Sequence, residues 1–154
     1  MSISQQIKKI QKKIKADVDN CLRLEGLEAV KDSMVKSIES EVYSVYTPSI
    51  YNRRKSNGGL IDRDNNIIGT VKDGELTVRN VTPLNDDYGS SSFRNEKTLT
   101  GIIISGEGYR YDFPYSGVPR DFIQETREDL ENNDTIHKTI MSGLKKRGHN
   151  VVKE

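Results

Sequence analysis

The chain lacks tryptophan, holds a single cysteine, and has only two histidines and four prolines among its 154 residues. One cysteine, Cys21, forms no internal disulfide, which fits a reducing compartment. It sits among apolar residues and reads as a small buried hydrophobe rather than a reactive thiol. No apolar run approaches the ~18 residues that a membrane-spanning helix needs. The N-terminus is positively charged, but no continuous apolar region follows it, so it does not read as a secretory signal. Net charge is only +1. Bulk electrostatics therefore gives no case for nucleic acid or membrane, and any basic function must be local.

Catalytic and metal patterns are also missing. His137 and His149 both lie near the C-terminus, with no cysteines or paired acids at zinc spacing. No Gly-x-Ser-x-Gly and no Walker pattern occurs. Asp62, Asp64 and Asn66 imitate the opening of a calcium loop. However, Ile67 stands where glycine is required and Asp73 where the final glutamate belongs. DRDNN reads as a turn. Asn57-Gly58-Gly59 lacks dinucleotide-fingerprint spacing. No catalytic residue, cofactor site or metal site is expected, and an enzyme is not the favoured class.

Apolar residues make up 33% of the chain and charged residues 31%. That supports a modest core, stabilised further by partners or by copies of the same chain. Ile3, Ile7, Ile10, Ile14, Val18 and Leu22 line one helical face. Lys8, Lys9, Lys12, Lys13 and Lys15 fill other positions, with no acid before Asp17. This basic amphipathic helix is expected to dock on its own domain or on a neighbouring subunit. A second periodic run, Leu27, Val30, Met34, Ile38, Val42 and Val45, follows Gly26. The first third is thus two helices, or one long helix bent near Gly26, ended by Thr47-Pro48.

Asp73-Gly74 predicts a tight hairpin, flanked by the alternating TVKDGELTVRNV. LTGIIIS (99–105) reads as a core strand, and Tyr109, Tyr111 and Phe113 as a further short one. Pro119 is placed for a helix start, and Asp134 for a cap. The expected fold is α+β: N-terminal helices, a small, mainly antiparallel sheet of three to four strands, and C-terminal helices packed on one face. Residues 1–24 form a basic helix or arm. Residues 25–154 form a single domain with long loops at 47–59 and 83–97.

Four local patterns occur in a definite order. Tyr51, Arg53 and Arg54 form a Tyr-x-Arg-Arg, with Lys55 next. Gly58, Gly59 and Leu60 follow as Asn-Gly-Gly-Leu. Glu107 and Gly108 lie in Ser-Gly-Glu-Gly-Tyr. Pro119, Arg120, Phe122 and Ile123 open the last helical region. This succession resembles the small neck or tail-completion proteins (head–tail joining, minor tail) of long-tailed bacteriophages and related prophage elements. The sequence departs from that pattern at Asp121, where proline is common, and in its basic first helix.

The resemblance implies a viral structural protein whose copies form a ring at the head–tail junction. It would be made in the bacterial host cytoplasm and carried in the virion. The partners implied are further copies, other neck, portal-adjacent or tail-tube proteins, and non-specific contact with passing DNA. No membrane is involved. Tyr51, Arg53, Arg54, Lys55, Tyr88 and Phe93 are the candidate subunit-interface residues. Tyrosine and arginine are the typical anchors of such surfaces. The alternative is a nucleic-acid-binding accessory protein using the N-terminal lysines and the 53–55 basic patch.

Overall fold

The computed structural model describes residues 1–49, 52–84, 98–109 and 113–152. The first third is one continuous helical run. Helix α1 (Ile3–Cys21) passes through a π turn (Leu22–Gly26) into α2 (Leu27–Ile38), and a second π turn (Glu39–Tyr43) ends it. The π turn has a cause in the spacing. The apolar steps are three or four residues until Leu22, and the next step, to Leu27, is five. A π turn closes i to i+5, so it absorbs the extra residue and keeps Leu27 on the stripe. The Leu27 N–H accordingly points to the Leu22 carbonyl. At the start, Ser2 and Gln5 form a reciprocal capping box.

Strands β1 (Ile67–Lys72) and β2 (Glu75–Asn80) form a two-stranded hairpin. Its turn residues, Asp73 and Gly74, have φ of 52° and 82°. Two positive φ angles in succession define the type I′ turn that the Asp-Gly pair predicts. Among the described residues these are the only two strands, with one isolated bridge between Pro83 and Thr98.

The expected third strand at 99–105 is instead a helix, α3 (Leu99–Ser105). Thr98 accepts a bond from the Gly101 N–H, and Gly106 ends the helix at φ 72°. Three successive isoleucines suggested a strand, but the capping pair and the burial of Ile102 and Ile103 override that weak preference. Gly106 is needed twice over. A Cβ there would lie 2.6 Å from the Val118 carbonyl carbon, and its φ is left-handed. Leu60-Ile61 lies in turns. Of the expected strand around Tyr109 and Phe113, residues 110–112 lie outside the described residues, and neither flanking residue is in a strand. Helices α4 (Phe122–Asn132) and α5 (Thr135–Lys146) complete the α+β fold. Helix α4 starts after Pro119, because the Asp121 carboxylate accepts from the Gln124 N–H at 2.9 Å. The Asp134 side chain makes no capping bond. Asn133 Oδ1 accepts from the Thr135 N–H instead.

The chain divides into two compact units. The first comprises Met1–Val30, Gly69–Val78 and Asn133–Glu154. Here α5 packs on α1 and the first π turn. Cys21 is fully buried and donates to the Ile140 carbonyl at 3.5 Å, and burial pushes its thiol up from the ordinary value. Arg147 grips Glu25 with two bonds of 2.8 and 3.0 Å. The guanidinium holds that carboxyl below its usual range. His149 Nε2 lies 2.8 Å from Asp17. The second unit comprises Lys31–Ile68 and Arg79–Asn132. Its apolar core is Met34, Ile38, Val42, Leu60, Ile67, Ile102, Ile103 and Phe122.

The first unit depends on Gly143. A Cβ there would meet Cys21 Sγ at 2.4 Å and the Glu25 carboxyl carbon at 3.2 Å. Gly143→Ala should therefore destabilise the protein by about 1–3 kcal/mol, despite alanine's better helix propensity. Chemical denaturation would measure this. A neutral or stabilising result would show that α5 does not pack this closely on α1.

Candidate functional site

Of the expected interface residues, Arg53, Arg54 and Lys55 fall on the arm that leaves the long helix, within the second unit. Helix ends leave carbonyls without partners and carry partial negative charge. Arg53 answers both needs. Its guanidinium donates to the Tyr43 carbonyl at 2.7 Å and to the Tyr46 carbonyl. It also stacks on the Tyr43 and Tyr46 rings, 4.9 and 4.7 Å from their centroids. Arg54 donates to the Pro83 carbonyl at 2.7 Å. Lys55 stays exposed, at φ 48°. These three neighbours therefore have different roles. Two cations fasten the arm to their own chain, and the third points to solvent. Tyr51, Tyr88 and Phe93 lie outside the described residues.

Gly58, Gly59 and Leu60 turn the arm back into the unit. Gly58 has φ 76° and donates its N–H to Asp62 at 2.8 Å. Gly59 is buried, and a Cβ there would lie 2.4 Å from the Lys55 carbonyl oxygen. Only glycine fits at that distance. Asp62 also accepts from the Asn65 side chain at 3.0 Å and from its N–H at 3.1 Å. The Asn65 side chain, then the Gly58 N–H, hold the Asp62 carboxyl below its ordinary value. The DRDNN stretch is thus an Asx-type turn.

Beneath the arm lies a polar latch that sequence reasoning missed. Asn80 donates to the Leu60 carbonyl at 2.8 Å. Its Oδ1 accepts from Thr82 Oγ1 at 2.6 Å, Thr100 Oγ1 at 2.9 Å and the Thr82 N–H at 3.2 Å. Asn66 Nδ2 donates to the Gly59 carbonyl at 2.8 Å, and Thr82 Oγ1, whose proton goes to Asn80, lies 3.4 Å from it. Asn66, Asn80, Thr82 and Thr100 are all buried. No local spacing announces this set, because its members meet only in the tertiary fold.

An aromatic cluster adjoins the arm. Tyr46 packs edge-on against Phe113 at 5.1 Å and beside Tyr115 at 5.4 Å. Tyr109 lies 4.7 Å from Phe113. Tyr115 donates its hydroxyl to the Val45 carbonyl at 2.6 Å. Arg120, only 7% exposed, stacks 4.9 Å from the Tyr115 ring and donates to the Tyr109 hydroxyl. Among the described residues its Nε has no partner. Of the other expected residues, Phe122 is fully buried, Ile123 is half-buried, and Pro119 and Glu107 are exposed. Gly108 has φ 90° beside Ile102. Glu107 and Gly108 follow the α3 cap and do not end a strand.

On the arm's outer side, Glu39, Tyr43, Ser44, Thr47, Pro48, Asn52, Arg53 and Lys55 line a shallow, open cleft of about 390 Å³. Among the described residues, no three of His, Cys, Asp and Glu come together as a metal site. The site is a polar and aromatic surface in which Arg53, Arg54 and Asp62 bind backbone and Lys55 stays exposed.

What fold and site define is a small α+β protein with a pre-fastened surface arm. Residues 6–146 match the YomN family. The chain belongs to that family, which is phage-associated. No curated protein and no solved structure matches the chain.

Arg53→Lys keeps the charge but loses the two-pronged grip and the flat stacking face. It should cost about 1–2 kcal/mol and speed limited proteolysis within 47–57. Unchanged cleavage would mean that the arm is held elsewhere. For Asp62 the folded pKa lies below the unfolded one. Its stabilisation is therefore complete above the unfolded value of about 3.9 and fades as pH falls through the folded value. An NMR titration should show the Gly58 amide shifting only below that range. An Asp62→Asn variant should lose the acid-range shift.

Proposed function

We propose that this chain is a structural virion protein of a tailed bacteriophage. It is a ring-forming subunit of the neck or tail-completion complex at the head–tail junction, and it works by assembly rather than catalysis. The observation that carries the reading is membership of a phage-associated family over residues 6–146. The geometry is compatible with it. Docking costs less when a surface is already ordered, and Arg53, Arg54 and Asp62 order this arm before any partner arrives. The exposed rim, with Asn52, Lys55 and Thr47, is the part offered to a neighbour. No metal, cofactor or membrane enters this role. DNA passing such a ring would meet only weak, sequence-independent contacts.

The test is the assembly state. Light scattering and negative-stain electron microscopy of the purified chain should show closed rings, with masses that are multiples of 17.4 kDa. Lys55→Glu should weaken ring formation without changing thermal stability. A strict monomer that binds duplex DNA tightly and with steep salt dependence would overturn the proposal. It would favour the accessory nucleic-acid-binding role, through the N-terminal lysines and the 53–55 patch.

A further inference from the structure

The N-terminal helix has an apolar face that the chain leaves uncovered. Ile3, Ile7, Ile10 and Ile14 are between 44 and 76% exposed. Their steps of four, three and four residues match a heptad seam, with Ile3 and Ile10 at d and Ile7 and Ile14 at a. In that register the positions flanking the seam, e and g, are Ser4, Gln6, Gln11 and Lys13. Lys8, Lys9, Lys12 and Lys15 fall at b, c and f, away from it. Lys15 is already engaged, 3.0 Å from Asp73. So four of the five lysines avoid the seam, and its borders are almost uncharged.

The make-up of the stripe and of its borders selects the occupant. A helix lying in a membrane interface sets Trp, Phe or Leu on its apolar face against a lysine-rich polar one, and this stripe is isoleucine alone. A nucleic acid on the lysine pole would leave the isoleucines uncovered. A second copy of the same helix fits. Isoleucine meets isoleucine, glutamine borders meet without charge conflict, and the lysines radiate outward. We infer that residues 3–14 are a self-association seam, through which α1 bundles with the same segment of further copies of this chain. Isoleucine at both a and d favours roughly three or four helices over a pair. The seam ends where Asp17 takes the next d position and is held by His149. This contact is separate from the 52–55 rim and does not rest on the virion reading.

The experiment uses the full chain, with mass measured by sedimentation over a range of concentrations. The double variant Ile7→Lys/Ile14→Lys changes only exposed positions, so its circular dichroism and melting temperature should match the wild type. Its self-association should weaken by at least about tenfold. Lys9→Gln/Lys12→Gln, on the opposite pole, should leave association intact or strengthen it. Association unchanged by the isoleucine substitutions would overturn the inference while leaving a ring held through the arm in place. So would a wild-type chain that stays monomeric but co-sediments with phosphatidylserine vesicles and releases them on Ile7→Lys/Ile14→Lys. That result would assign the stripe to lipid.

Discussion

The Gly59 carbonyl and the Asn80 side chain are the points on which the second unit depends. A segment that enters the interior as turns rather than as helix or strand brings backbone groups that no ladder satisfies. Each would cost about 1–3 kcal/mol if left unpaired in the interior. Asn80 supplies a donor to Leu60 and an acceptor to Thr82 and Thr100, while Asn66 donates to Gly59. Among the described residues of this unit, eight apolar residues are buried, beside ten polar or charged ones. A chain poor in apolar residues has thus built a unit whose specificity rests on pairing as much as on packing. Such a network fixes one arrangement only if every member is satisfied.

Arginine has the same role at the edges. Arg53 closes the exposed end of the long helix, Arg54 fastens the arm to Pro83, and Arg120 stands within the aromatic cluster. All three stack on rings or reach carbonyls and hydroxyls, as a planar fork allows and an ammonium does not. The donors seen in Arg53 and Arg54 are engaged inside the chain. An Arg-Arg-Lys triplet that looks like one basic patch is two structural arginines and one outward lysine.

Much of this was legible from local chemistry. Asp73-Gly74 needs only its own two residues to specify a hairpin. The periodic apolar runs on either side of Gly26 mark the helical first third, and the choice between two helices and one bent helix falls to a continuous run with a π turn across Leu22–Gly26. LTGIIIS forms a helix despite its β-branched run, because the caps that bracket it outweigh that preference. Thr98, three residues before Gly101, and Gly106 were better guides than the isoleucines. The Asn80 latch was not legible. Asn66, Asn80, Thr82 and Thr100 are ordinary polar residues until the fold brings them together, and no periodicity marks them. Arg53 was found as a residue but not in its role, since the carbonyls it binds are defined only once the helix is known to end near Tyr43.

The exposed isoleucines follow from the same logic of pairing. Within the first unit, α1 is anchored by what lies late in it and just beyond it: Cys21 against α5, Glu25 against Arg147, Asp17 against His149, and Asp19 against the Gly74 N–H at 3.1 Å. Before residue 15, neither an anchor nor any buried side chain occurs. The segment stays helical as the continuation of the anchored run behind it, and the capping box at Ser2 closes its first turn. A stripe of four exposed isoleucines is a costly choice for a surface that stays in water, where lysine or glutamine would serve solubility better. Its presence, with the charges moved to the far side, is explained if the helix is completed by contact with another copy of itself.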